Sequence, residues 1–414
     1  MPAGLPILLG SLRHRNFRLY FYGQLISQIG TWLQTAAQSW LVLDLTHSAQ
    51  AVGVLGFCFY GPYALLGLVG GALADRWDRR RTLMATQTAM AICAAALALV
   101  VFARVDRVWV IYLIAVVRGG ILVFNNPSRQ ALIVQLVGRQ DLPNAIALNS
   151  SLNNATRVIG PAIAGLLIAG VGTGWCFALN AASFIPVIVA LGVMRESEFH
   201  RQVGIRSRVS LWQSIRSGLA YARRRKTVAV VLTMLLVISL LAINFNVLLP
   251  ILARQTMHGG PQTYGYITAA FGLGAFCGAL FAAARKHASR SLVIVAAAAF
   301  GLAQLGVAYQ HTLLGVAGAL FATGVFYTIY TSNSNSLVQL ATPGFLQGRI
   351  GGLYNYVFLA TGPLGALLAG WLSERGGTAL AFIVGGAATI VMALIGLASR
   401  PWPMPAGSVR ARRA

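Results

Sequence analysis

The residues of this sequence with chemistry to perform are polar side chains set inside long apolar runs. Gln24, Gln28, Thr31, Thr35 and Gln38 recur at steps of three and four, so a helix places them on one face. Amides in hydrocarbon are costly unless bonded or wetted, so that face points inward, toward a water-filled cavity or a neighbouring helix. The threonines carry less of the argument, because a hydroxyl can bond back to its own helix. Asn149, Asn153, Asn154, Tyr327, Tyr354 and Asn355 are further cavity candidates, as are Tyr60, Tyr63, Asn244, Asn246, Tyr330 and Tyr356. Several of the tyrosines would serve equally as interfacial anchors. A lining rich in amides and rings suits an amphiphilic organic solute better than an inorganic ion.

Two arginines fall at membrane depth. Arg118 is nine residues beyond the span entry at Trp109, about 13 Å into a core about 30 Å thick at about 1.5 Å per residue. Arg157 is similarly deep. A guanidinium there costs at least about 2.5 kcal/mol on insertion scales and cannot shed its proton. Carbonyls near Pro161, amides such as Asn154, cavity water or an anionic part of a substrate could solvate it. The acids Asp44, Asp75, Asp78, Asp106, Asp141, Glu196, Glu198 and Glu374 all lie at span ends or in loops. His14, His47, His200, His258, His287 and His311 are scattered without ligand spacing, and Cys58, Cys93, Cys176 and Cys277 form no CxxC. No metal site, disulfide, cofactor or catalytic cluster is expected, which disfavours a membrane enzyme.

The elements that must carry these residues are apolar spans. With 57% hydrophobic and 10% charged residues and a mean hydropathy of +0.71, the chain reads as an all-α polytopic membrane protein. The +24 net charge therefore does not signal nucleic acid. The arginines cluster between alternate pairs of spans, with only Arg104, Arg107, Arg254 and Arg375 on the other side, which places both termini in the cytoplasm. The chain from Pro2 to Leu12 is too short for a cleaved leader, so the first span is expected to act as the insertion signal.

Twelve spans are expected: Phe17 to Leu43, Ala51 to Ala74, Leu83 to Ala103, Trp109 to just beyond Val123, Ala145 to Ala169, Trp175 to Met194, Val228 to Leu252, Tyr264 to Ala284, Leu292 to Tyr309, Leu313 to Tyr330, Gly352 to Leu372 and Ala379 to Ser399. They divide the chain into a six-helix bundle at 1–194, a cytoplasmic linker at 195–226, a second bundle at 227–399 and a basic cytoplasmic tail at 400–414. Traces of a repeat connect the halves: Val134-Gln135-Leu136 with Val338-Gln339-Leu340, and Gly160-Pro161 with Gly362-Pro363. Duplication puts a substrate site between the halves near the midplane.

The stretch Gly71-Ala72-Leu73-Ala74-Asp75-Arg76-Trp77-Asp78-Arg79-Arg80 resembles the signature loop between the second and third helices of the major facilitator superfamily, with Asp78 where a second glycine is usual. Asp75 ends its helix, where the dipole disfavours a carboxylate by about 0.3–1 kcal/mol. Arg79, Arg80 or the N-terminus of the eleventh span near Gly351 and Gly352 would compensate it. Phe17-Arg18, Gly30-Thr31-Trp32, Arg118-Gly119, Asn126-Pro127-Ser128-Arg129-Gln130, Asp141-Leu142, Asn144-Ala145 and Gly160-Pro161 narrow the resemblance to the drug:proton antiporter branch, with its enterobactin-type exporters and transmembrane secretion effector group.

The resemblance implies a proton-coupled exporter working by alternating access, with Gly71, Asp75, Arg76, Arg79 and Arg80 as a gating motif. It implies too that Arg118, which matches the fourth-span arginine of the family, either binds an anionic part of the substrate or tunes a proton carrier at a span end such as Asp44 or Asp75. Gly160-Pro161, echoed by Gly362-Pro363, would mark a helix kink or close contact. The expected partners are the lipid bilayer of the cell's cytoplasmic membrane, a small-molecule substrate and protons, with the chain acting as a monomer. An importer, or a sensor on the same scaffold, is the alternative.

Overall fold

A computed structural model describes residues 10–74, 77–105, 107–200, 219–285 and 288–399. Every regular element among them is helical. A short turn, Gly10–Arg13, leads into α1, Arg15–Thr46, followed by α2, Ala49–Ala74, and α3, Arg79–Phe102. Then come α4, Val108–Gly138, α5, Gln140–Val171, and α6, Thr173–Gly192. The second set is α7, Lys226–Thr256, α8, Pro261–Ala284, α9, Arg290–Ala308, and α10, Leu313–Leu340. Helix α11 begins as Gly344–Ala360 and resumes beyond Thr361 through residues 362–375. Gly376 and Gly377, the latter at φ +66°, break the chain before α12, residues 378–398.

Among the described residues, ten helical stretches are long and apolar enough to cross a membrane, and the last of them, Leu346–Ala398, holds both α11 and α12. Helix α1 is not one of the ten. It is 32 residues long, but Gln24, Ser27, Gln34, Gln38 and Ser39 are buried in it, and these side chains lower its hydropathy where other helices cover them.

Several boundaries differ from those expected from hydropathy. Helix α4 continues through the polar stretch from Asn126 to Gln130 as far as Gly138, whose φ of +69° turns the chain into α5. Helix α7 is not continuous: it breaks between Leu241 and Phe245 and ends in a π turn, Leu252–Thr256. The Gln304 side chain donates to the freed Ala242 carbonyl at 2.7 Å, and Asn244 donates to Leu240 O at 2.9 Å. A broken helix at membrane depth needs such substitutes. The start of α11 at Gly344 puts Gly351 and Gly352 inside the helix, so their amides do not form its free N-terminus.

Crossing geometry exposes the repeat more clearly than sequence does. A Cβ on Gly160 of α5 would lie 2.5 Å from Trp32 Cβ of α1, and one on Gly365 of α11 would lie 2.7 Å from Leu240 O of α7. Gly165 of α5 meets Gly265 of α8, as Gly370 of α11 meets Gly53 of α2. Gly119 of α4 abuts Phe59 O of α2, as Gly324 of α10 abuts Phe271 O of α8. One sequence interval connects Gly119 to Gly324, Gly160 to Gly365 and Gly165 to Gly370, so the first set of six helices packs as the second does. By that interval Gly160 corresponds to Gly365, not to Gly362.

The two sets meet through α2 with α11 and α5 with α8, where small residues admit close backbones. At the opposite end, the Gly10–Arg13 turn is tied to the start of α5. Arg13 and His14 each reach Asp141 Oδ2 at 2.7 Å, and Ser11 Oγ donates to Asn144 Oδ1 at 2.7 Å.

Candidate functional site

A cavity of about 310 Å³ lies between the two sets, walled by α1, α2, α4, α5, α7, α8, α10 and α11. Thr35, Gln38, Arg118, Arg157, Pro161, Tyr327 and Gly362 line it, together with Tyr60, Asn244 and Asn246. Rings and aliphatic side chains supply most of the remaining wall. No carboxylate is among the lining residues.

The close approach of α4 to α2 at Gly119 brings Arg118 to the Phe59 ring, whose centre is 5.2 Å from the guanidinium carbon. Arg118 is 4% exposed and donates from Nη1 to Gln38 Oε1 at 2.7 Å. Gln38 is itself oriented, its Nε2 donating to Ile111 O at 3.4 Å. Arg157 lies with its guanidinium carbon 5.0 Å from the centre of the Trp32 ring and donates from Nη1 to Tyr327 Oη at 3.3 Å. This bond spans the two sets. Asn246 makes a second one, donating to Tyr60 Oη at 3.4 Å.

The polar stripe of α1 divides along its length. Thr35 and Gln38 reach the cavity, but Gln24, Gln28 and Thr31 do not line it. Gln28 donates to Asn153 Oδ1 of α5 at 2.6 Å, so that pair is interhelical packing. Thr31 and Thr35 bond back to Ser27 O and Thr31 O of their own helix. Gln24 is buried and its Oε1 finds no hydrogen bond in the protein. Tyr354 is absorbed within the second set, against Ser334 Oγ and Thr331 O. Asn149 and the exposed Asn355 are off the wall, and the side chain of Asn154 lies outside those described.

Other wall residues were not expected from sequence to line a cavity: Trp32, Phe59, Ser239, Phe245, Thr268 and Phe271. A ring facing a cavity reads the same as a ring facing lipid, so hydropathy holds no signal for the four aromatic residues. A lone Ser or Thr in a span can bond back to its own helix, as Ser239 Oγ does to Leu235 O. Around Gly160-Pro161 the feature is a close contact with α1. The only interruption of helical φ/ψ in Val108–Val171 is Gly138.

Of the gating motif, Gly71 falls in the last turn of α2, and Asp75 and Arg76 lie outside the described residues. Arg79 begins α3. Arg80 caps the end of α6, donating to Leu191 O at 2.6 Å and Gly192 O at 2.7 Å and pairing with Glu196 at 3.1 Å. A cation there meets the unsatisfied carbonyls and negative dipole of the helix end. Asp78, the departure from the family pattern, is the N-cap of α3, its Oδ1 accepting from Arg81 N at 2.8 Å.

Contacts tie the two sets together at the end of the molecule bearing the α1–α2 turn. Arg254 of α7 pairs with Asp44 of α1 at 3.0 Å and lies over Trp40, which stacks on Tyr264 of α8 at 5.7 Å. Gln255 Nε2 donates to His47 O at 3.1 Å. Glu374 of α11 accepts from Ser48 Oγ at 3.2 Å and from the Gln50 amide of α2 at 3.1 Å.

Solved transporters share this architecture. The chain superposes on the nucleoside transporter NupG with a TM-score of 0.72 at 12% identity, covering 92% of this chain and 98% of that one. A D-xylose-proton symporter gives 0.71 at 14%, with the same coverage. These likenesses establish the fold alone. In sequence, the chain is 27% identical over 396 residues to the multidrug efflux pump Tap of Mycolicibacterium fortuitum, covering 92% of this chain and 93% of the pump. It is 27% identical over 365 residues to the enterobactin exporter EntS of Shigella flexneri, covering 87% and 85%. The pattern of the transmembrane secretion effector family runs through residues 8–412. With that match, the chain belongs to the transmembrane secretion effectors, a multi-pass transporter family of the major facilitator superfamily.

Proposed function

We propose that the protein exports an amphiphilic small organic molecule across the cytoplasmic membrane by alternating access, and that the structure is the state closed to the outside. The carrying observation is the cavity between the two sets, which Asp44–Arg254 and the Glu374 contacts tie together at the α1–α2 end. Similarity to an efflux pump and an enterobactin exporter supports the outward direction.

In this reading the chain makes twelve crossings as a monomer. Residues 1–194 and 227–399 form the moving halves, 195–226 the linker and 400–414 the tail, with linker and both termini in the cytoplasm. The clustering of arginine at one membrane side supports that orientation. Protons are the coupling ion in this reading, and Asp44 is a carrier at a span end: protonation removes the charge that Arg254 pairs with, so proton entry from outside releases the seal. Asp75 gates the other side.

Cellular accumulation of fluorescent and siderophore-like compounds, with and without the protein, tests the direction. Export lowers accumulation. A rise would mean import, and no change across the panel would mean a sensor.

A further inference from the structure

We infer that the ligand of this cavity carries an anionic group, a carboxylate or phenolate, on an aromatic or otherwise apolar body, and that Arg118 and Arg157 hold that group, a ligand class that presupposes the transport site proposed above. Among the described residues the wall carries two guanidinium groups and no carboxylate to balance them. Each arginine makes a single hydrogen bond among the described residues, and each bond goes to a neutral group: the Gln38 amide for Arg118 and the Tyr327 hydroxyl for Arg157. A guanidinium has five N–H donors, so most remain for a ligand or for water. Phe59 and Trp32 cover a face of each guanidinium, which leaves the N–H edges as the part that bonds. Those edges match a carboxylate in a planar fork. Thr268 adds a buried hydroxyl on the wall without a protein partner.

The charge is also lopsided. By the interval that relates the two sets, Arg118 corresponds to Thr323, whose hydroxyl bonds to Ala319 O, and Arg157 corresponds to Gly362. The second set therefore presents rings and neutral amides, Phe245, Phe271, Asn244 and Asn246, to the body of a ligand whose head lies on the first set. A cation in the same place would face two uncompensated like charges. An anion suits export energetically, because an inside-negative potential of 100 mV favours its outward movement by a factor of about 50 per charge.

The test uses full-length protein in lipid nanodiscs and three probes on one ring system: 1-pyrenebutyric acid, its primary amide and 1-pyrenebutylamine. Saturable binding is read above empty discs. The acid is expected to bind about tenfold tighter than the amide, in line with the strength of charge-assisted hydrogen bonds, and the amine weakest. Arg157→Gln should remove most of the acid's advantage and Arg157→Lys should keep part of it. Arg157 is the better variant because it is less buried than Arg118, and the wild-type panel decides the matter even if variants fold poorly. Equal binding of all three probes, or preference for the amine, overturns the anionic class and leaves the transport site standing. Saturable binding of none of them overturns both.

Discussion

Arg254 of α7 donates from Nη2 to Asp44 Oδ1 of α1 across 3.0 Å and so joins the two sets at the end bearing the α1–α2 turn. Both side chains are about half exposed, at 42% and 51%, and such a pair is worth about 0–1 kcal/mol. At about 1.4 kcal/mol per tenfold, Arg254→Gln or Asp44→Asn should raise the population open at that end by up to about fivefold. In a variant lacking the four native cysteines, labelling of Ser39→Cys by an impermeant maleimide from outside measures it. The charge-exchanged double variant should restore the slow rate, and added salt should narrow the differences. Unchanged labelling in both single variants would remove the pair from the seal.

The Gly165–Gly265 crossing leaves no room for a side chain, since a Cβ on Gly165 would lie 2.5 Å from Gly265 Cα. Backbone cannot step aside as a side-chain tip can. Gly165→Leu should therefore force α5 from α8, lower stability by about 1–3 kcal/mol and abolish transport. Gly61→Ala is the control. A Cβ there meets nothing within 4 Å, and the change should be neutral or stabilising by up to about 1 kcal/mol. Thermal unfolding in detergent checks both.

Arg118 tests charge against shape. Lysine keeps the charge but loses the planar fork, and glutamine keeps hydrogen bonding but loses the charge. If charge matters, Arg118→Lys should retain partial transport and Arg118→Gln should fall below about a tenth of wild type. Equal activity in the two would leave Arg118 a packing residue against Gln38 and Phe59.

Asp78 is expected to stabilise α3 through its cap on the Arg81 amide. Asp78→Ala should lose about 1 kcal/mol, whereas Asp78→Gly, which restores the usual family residue, should lose only a few tenths. Chemical unfolding curves distinguish the two. An alanine variant as stable as the wild type would mean that the cap contributes nothing.

Topology is open to a direct measurement. A cysteine introduced at Ser207, in the cysteine-free background, should stay unlabelled by an impermeant reagent in intact cells and react once the membrane is permeabilised. Labelling of intact cells would invert the orientation proposed here.

How much was legible in the sequence depended on what a residue's neighbours had to be. Apolar run length located the helices, because lipid imposes one requirement on all of them. Arg118 and Arg157 stood out because a guanidinium in hydrocarbon demands company. The stripe on α1 was read as one surface, yet Gln28 bonds Asn153 while Gln38 bonds Arg118. Periodicity fixes a face and does not say which neighbour covers each turn of it. The break in α7 was hidden because no glycine flanks Ala242, Ile243 and Asn244, the one proline of the run, Pro250, lies beyond the break, and its support, Gln304, is contributed by α9.

The same division of α1 bears on the order in which the chain is made. Gln28 bonds to a residue 125 positions later, and Gln34 to Asn180, 146 positions later. Synthesis proceeds at about 5–20 residues per second, so these amides wait roughly 6–30 s for α5 and α6. During that interval α1, made before the helices that cover its amides, is the one least suited to lipid alone. Its retention beside the insertion machinery, or under the care of a membrane chaperone, is a requirement written into its glutamines. Chains truncated before α5 should accordingly be recognised as unfinished and degraded.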